Sequence, residues 1–114
     1  MTFDEAVAYA LTLPGTELST SYGKPAVKVT SNGRAFLFPS HEPDTSFGVA
    51  IDLDTIEILK ATDPGTFWQT PHYEGWAGVL IRYASTDENR VREVIGRSRD
   101  WIAAKPPVKP RKRK

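Results

Sequence analysis

Pro25-Ala26-Val27-Lys28-Val29-Thr30-Ser31-Asn32-Gly33-Arg34-Ala35-Phe36-Leu37-Phe38 is the stretch that decides the fold. Its first part is short and β-branched, its last part apolar and aromatic, and Ser31-Asn32-Gly33 stands between them. Side chains of these kinds pack well on a pleated surface, so each part reads as a strand. Asn-Gly favours the positive-φ turn whose twist suits paired strands, which makes the two parts an antiparallel hairpin. A third run, Phe47-Gly48-Val49-Ala50-Ile51, follows a loop containing Pro39, Pro43 and Asp44 and extends the hairpin to a meander.

Outward from the meander the period becomes helical. Toward the N-terminus, Thr2-Phe3-Asp4-Glu5 reads as a capping box, and Phe3, Val7, Ala10 and Leu11 repeat at helical spacing until Pro14-Gly15. Toward the C-terminus, a brief helix is predicted over 54–62 on Ile56, Leu59 and Lys60, closed by Asp63-Pro64-Gly65. Two further strands are predicted, at 67–70 and 76–83, around a turn at Pro71–Gly75. Val79-Leu80-Ile81 is apolar on both faces, so that strand should be central and covered. Ser85-Thr86-Asp87-Glu88 reads as a second capping box before the longest helix. That helix sets Val91, Val94, Ile95, Ser98 and Ile102 along one face, with Trp101 beside it, and Pro106-Pro107 stops it. The order α-βββ-α-ββ-α predicts an α+β fold, a mainly antiparallel sheet with flanking helices. A doubly wound parallel sheet is disfavoured, because the strands come in hairpin-connected runs.

The chain has 114 residues, 39% of them hydrophobic and 25% charged, as expected of one soluble domain. No apolar run approaches a membrane span, and Asp4 and Glu5 stand where a secretory signal would carry basic residues. The absence of cysteine excludes a disulfide scaffold, a thiolate zinc site and a cysteine nucleophile, and makes the cytoplasm the default compartment. A monomer is the default assembly. The net charge of +1 hides an asymmetry. Residues 105–114 hold six basic residues and no acid, whereas 1–104 hold nine basic residues against all fourteen acidic ones. The expected division is therefore an acidic α+β domain over 1–104 and a basic, disordered tail over 105–114, the tail suited to DNA or another polyanion.

Catalytic patterns are sparse. His41 and Asp44 share a loop, but no third metal ligand is evident, and no metal or cofactor is expected. His72 and Glu74 offer a base and an orienting acid within one tight turn, where a structural role for both is commoner. No serine sits in a nucleophile elbow, and no phosphate-binding glycine loop opens a helix. The glycines read as separate turn or bulge residues. A binding protein is expected rather than an enzyme.

The aromatics carry more. Phe36 and Phe38 are expected in the core. Tyr22, Tyr73 and Trp76, flanked by Gly and Pro turns, are candidates, with His72, for a groove that stacks a planar or apolar ligand.

Three stretches now bear on family. Leu13-Pro14-Gly15-Thr16-Glu17, Tyr22-Gly23-Lys24-Pro25-Ala26 and Thr70-Pro71-His72-Tyr73-Glu74-Gly75-Trp76-Ala77-Gly78-Val79-Leu80 resemble the MmcQ/YjbR-like family. The resemblance extends through the last helix, where Trp101 matches a common aromatic position, and so spans nearly all of 1–104. It implies a compact α+β domain, similar in shape to bacterial secretion chaperones and to the frataxin kind of fold. It also implies a non-enzymatic DNA-binding protein with a two-winged contact surface. In this chain the small positive wing would be Lys24, Lys28 and Arg34 around the first hairpin. The acidic body opposes a duplex, so the tail cations Lys109, Arg111, Lys112, Arg113 and Lys114 would make most phosphate contacts. Binding of that kind is weak and sequence-independent, since phosphate contacts position but do not specify. The alternative is a ligand- or protein-binding module using the groove near Tyr22, Tyr73 and Trp76.

Overall fold

A computed structural model describes residues 1–21 and 23–107. Its elements run α1 (Phe3–Ala10), β1 (Thr16–Ser21), β2 (Lys24–Val29), β3 (Arg34–Pro39), β4 (Ser46–Ala50), α2 (Leu53–Thr62), β5 (Phe67–Trp68), β6 (Gly78–Arg82) and α3 (Glu88–Ala103). The strands form one antiparallel sheet in the spatial order β1-β2-β3-β4-β6-β5. The α+β class and the meander are as the sequence predicts, with one further strand, β1, ahead of the hairpin. The second pair of strands is shorter than predicted, because residues 69–77 leave the sheet and fold over it.

The deciding hairpin closes through a longer connection than the two-residue turn Asn-Gly favours. Val29 faces Arg34, so residues 30–33 make the link, with Gly33 at φ 70° and its N–H donating to Val29 O at 2.8 Å. Asn32 is buried and does something else. Its Nδ2 donates to Ile102 O at 2.7 Å and Lys105 O at 3.2 Å, and its Oδ1 accepts from Arg34 N at 3.0 Å. The hairpin loop thereby caps the C-terminus of α3, where helical carbonyls lack partners. Arg34 Nε donates to Pro106 O at 2.7 Å and Lys105 Nζ lies 4.0 Å over the Trp101 ring. Contacts to the body thus extend as far as Pro106 O. Residues 108–114 lie outside the described residues.

Between β2 and β3 the register shifts: Val27 faces Leu37, but Lys28 faces Ala35. Such a bulge breaks the alternation of faces. Phe36 and Leu37 are both buried in the core, while Ala35 and Phe38 both line the opposite face. The buried Ser98 hydroxyl on α3 lies within hydrogen-bond reach of Phe36 O (3.2 Å) and Ala50 O (2.5 Å), anchoring the helix on this irregular part of the sheet.

The caps explain where the helices begin. Thr2 and Glu5 form the predicted box, with Glu5 N to Thr2 Oγ1 at 3.1 Å and Thr2 N to Glu5 Oε1 at 2.8 Å. Asp52 caps α2, accepting from Thr55 N at 2.9 Å. For α3 the predicted box is corrected to a simple cap. Asp87 accepts from Arg90 N at 3.1 Å, and Arg90 at the third helical position has no carboxylate to return the bond. Val91, Val94, Ile95, Ser98 and Ile102 are the buried face of α3, as the spacing predicts. Among the described residues no helix is long and apolar enough to cross a membrane.

All three helices contribute to one core. Ala6, Ala10, Ile56, Leu59, Val91 and Ile95 cluster with Leu37, Phe47, Val49, Val79 and Ile81 of the sheet. Directly opposed residues of an antiparallel pair share a face. The row Val27, Leu37, Val49, Val79 therefore looks toward the helices, and the row Phe38, Gly48, Leu80, Trp68 looks away. Of that second row, Gly48, Leu80 and Trp68 stand outside the core cluster that the helices join, among the described residues.

A candidate binding groove on the helix-free face

What covers part of this face is the segment between β5 and β6. Gln69 fixes its path: Nε2 donates to Gly78 O at 2.7 Å and reaches Tyr73 O (3.3 Å) and Trp76 O (3.4 Å). Lys60 Nζ of α2 donates to Gln69 Oε1 at 2.9 Å and holds the amide in this orientation. Within the segment, Tyr73 and Glu74 N–H groups donate to Thr70 O, and Gly75 takes φ 82° to turn the chain back toward the sheet. Tyr73 is thereby 6% exposed, whereas Trp76 remains 49% exposed.

Two glycines make room for rings. At Gly48, in β4, a Cβ would stand 2.5 Å from Cε1 and 2.9 Å from Cδ1 of Phe38. At Gly78, in β6, a Cβ would overlap Cζ3 and Cε3 of Trp76. Both glycines sit inside strands, not in the turns or bulges the sequence reading gave them, and Phe38 and Trp76 lie against the backbone there. The two rings are neighbours, with centroids 5.8 Å apart, and Tyr73 meets Trp76 edge-on at 4.9 Å.

The histidines join this cluster. His41 lies 4.7 Å from Tyr73 and 5.1 Å from His72 between ring centroids, and its Nε2 is 2.7 Å from Thr70 Oγ1. The His72 ring lies 6.0 Å from that of Tyr73 between centroids, and Glu74 is outside the groove lining. Among the described residues no group of three or more His, Cys, Asp or Glu could hold a metal ion. Burial pushes the Tyr73 phenol above its ordinary pKa, so it stays protonated and acts as a neutral wall.

These side chains enclose a groove of about 640 Å³, walled by Phe38, His41, His72, Tyr73 and Trp76 and floored by Ala35 and Ala50. It runs on into a second hollow of about 750 Å³, the two sharing Ser21, Ala35, Ala50 and Trp76. Concave, mainly apolar sites of this size with a few polar groups are how proteins hold small ligands. Of the expected groove residues, the structure brings His72, Tyr73 and Trp76 together; Tyr22 lies outside the described residues. Phe38, expected in the core, is partly buried against it and also walls the groove, because the register shift changes its face. His41, Ala35 and Ala50 are additional. Of the expected wing, Lys24 lines the first hollow and Lys28 and Arg34 the second, with Lys105 beside them. Lys109, Arg111, Lys112, Arg113 and Lys114 lie outside the described residues.

Fold and groove together define a small α+β domain with an antiparallel sheet, helices packed on it and an open, aromatic groove. The chain belongs to the YjbR family, whose model matches residues 11–101. Comparison with curated proteins and with solved structures gives no match.

Proposed function

We propose that this YjbR-family chain is a non-enzymatic, monomeric binding domain of the cytoplasm, and that the groove beside Trp76 is its site. The observation that carries this reading is the pair of glycines. Gly48 and Gly78 leave the backbone bare where two rings lie, and the resulting wall is half open to solvent rather than sealed into the core. Exposing a tryptophan face on a pinned loop costs hydrophobic burial, which a ligand ring would restore. The test is calorimetric titration with 2-naphthol, a neutral planar probe. Binding is expected in the wild type and weakened at least about fivefold in Trp76→Ala, the scale of one aromatic contact with its buried area. Equal binding by both proteins, or none by either, contradicts the assignment.

A second reading is weak, sequence-independent DNA binding, supported by Lys24, Lys28 and Arg34 bordering one face and by the basic residues beyond Pro107. Each neutralised phosphate adds about 0.9 to the negative slope of log K against log salt, so four to six engaged cations give roughly −4 to −5. Removing residues 108–114 should abolish most of that slope and leave thermal stability unchanged. A slope that survives truncation and vanishes with the wing substitutions would move the contact to the wing.

A further inference from the structure

The chain is acidic over 1–104, with fourteen carboxylates against nine basic residues. None of those carboxylates lines either hollow of the groove, among the described residues. Four cations do: Lys24 in the first hollow, and Lys28, Arg34 and Lys105 in the second. The segregation is local and sharp. Lys28 stands opposite Ala35, which floors both hollows, and Arg34, opposite Val29 at the start of β3, reaches the second hollow from the strand's end. Across β1–β2, Lys28 also faces Glu17, whose carboxylate stays outside the lining.

The cations are held in different ways. Arg34 donates its Nε–H to Pro106 O, and among the described residues its terminal N–H groups meet no hydrogen-bond acceptor. Lys105 lies over Trp101, which fixes its position without neutralising its charge. Trp76 belongs to both hollows. A planar group against Trp76 therefore has an aromatic and histidine surround on one side and a cationic one on the other.

From this arrangement, which rests on the groove being the binding site, we infer that its ligand is a small aromatic anion. The planar ring packs on Trp76 between Tyr73 and Phe38, and a phosphate or carboxylate substituent reaches Lys28 and Arg34. A charged acceptor strengthens each such hydrogen bond relative to a neutral one, and the low polarity of the aromatic half favours the ring.

The test pairs two probes that share one ring, 2-naphthyl phosphate and 2-naphthol, titrated into the full chain. The phosphate should bind at least about tenfold more tightly, the scale of one charge-assisted hydrogen bond. In the double variant Lys28→Gln, Arg34→Gln the two probes should bind alike, while 2-naphthol keeps its wild-type affinity, which also shows that the variant is folded. If the double variant loses 2-naphthol as well, Lys28→Gln alone is compared, and it should remove part of the phosphate advantage. Wild-type binding of 2-naphthol with no phosphate advantage overturns this inference and leaves the groove assignment standing. An advantage that persists in the variants places the anion contact elsewhere and overturns it too. Failure of both probes to bind overturns the groove itself.

Discussion

Gly78 and Trp76 are two residues apart, and the first leaves the sheet bare so that the second can lie on it. Gly78→Ala should push the indole outward, because a Cβ there would overlap the ring and Trp76 is half exposed. The expected stability loss is under about 1 kcal/mol, with aromatic-probe affinity falling as in Trp76→Ala. Gly48→Ala presses on Phe38, which is partly buried against the core, and should cost about 1–3 kcal/mol as an overpacked site. Denaturant unfolding of the two variants checks the difference; equal costs would show that Trp76 is as confined as Phe38. At this scale the sequence was half legible. Tyr73, Trp76 and His72 could be picked out because a Pro–Gly turn presents them. Phe38 could not, since its face depends on a register shift that alternation alone does not reveal. A strand-interior glycine is the signal that points to a ring lying on the backbone, and Gly48 within Phe47-Gly48-Val49 carried it.

At the scale of elements, periodicity served well where the segment was long and amphipathic, as in α3. It failed at β1, where Thr-Glu-Leu-Ser-Thr-Ser has one apolar residue and no alternation. As an edge strand it needs little burial, and its partner β2 supplies the pairing. The caps also carry a pH dependence. The Glu5 carboxyl is held below its ordinary pKa chiefly by the Thr2 backbone N–H. For Asp52 partial burial pushes upward, but hydrogen bonds from Thr55 outweigh it and the net shift is also downward. A carboxylate lowered in the folded state binds fewer protons there than in the unfolded chain above the folded pKa. Its stabilisation is thus complete above the unfolded value of about 4 and is lost as pH falls through the folded value. Thermal midpoints should therefore hold above about pH 5 and drop toward pH 2. Asp52→Asn should flatten part of that drop, and a drop as steep as the wild type's would remove Asp52 from the account.

For the whole molecule, the two faces of the sheet have divided the work. One is sealed by three helices into a continuous core; the other carries bare glycines and a pinned aromatic loop. Composition showed the charge asymmetry between body and tail but not that, among the described residues, no acid lines the groove, because that depends on which strands become neighbours. Ligand binding on this face is checked by a backbone and side-chain NMR shift map of the full chain titrated with 2-naphthyl phosphate. Ala35, Gly48, Ala50, Gly78 and the Trp76 indole N–H should shift together with one affinity, while Ile56 and Leu59 of α2 stay still. Shifts centred on α2, or scattered without saturation, would contradict it.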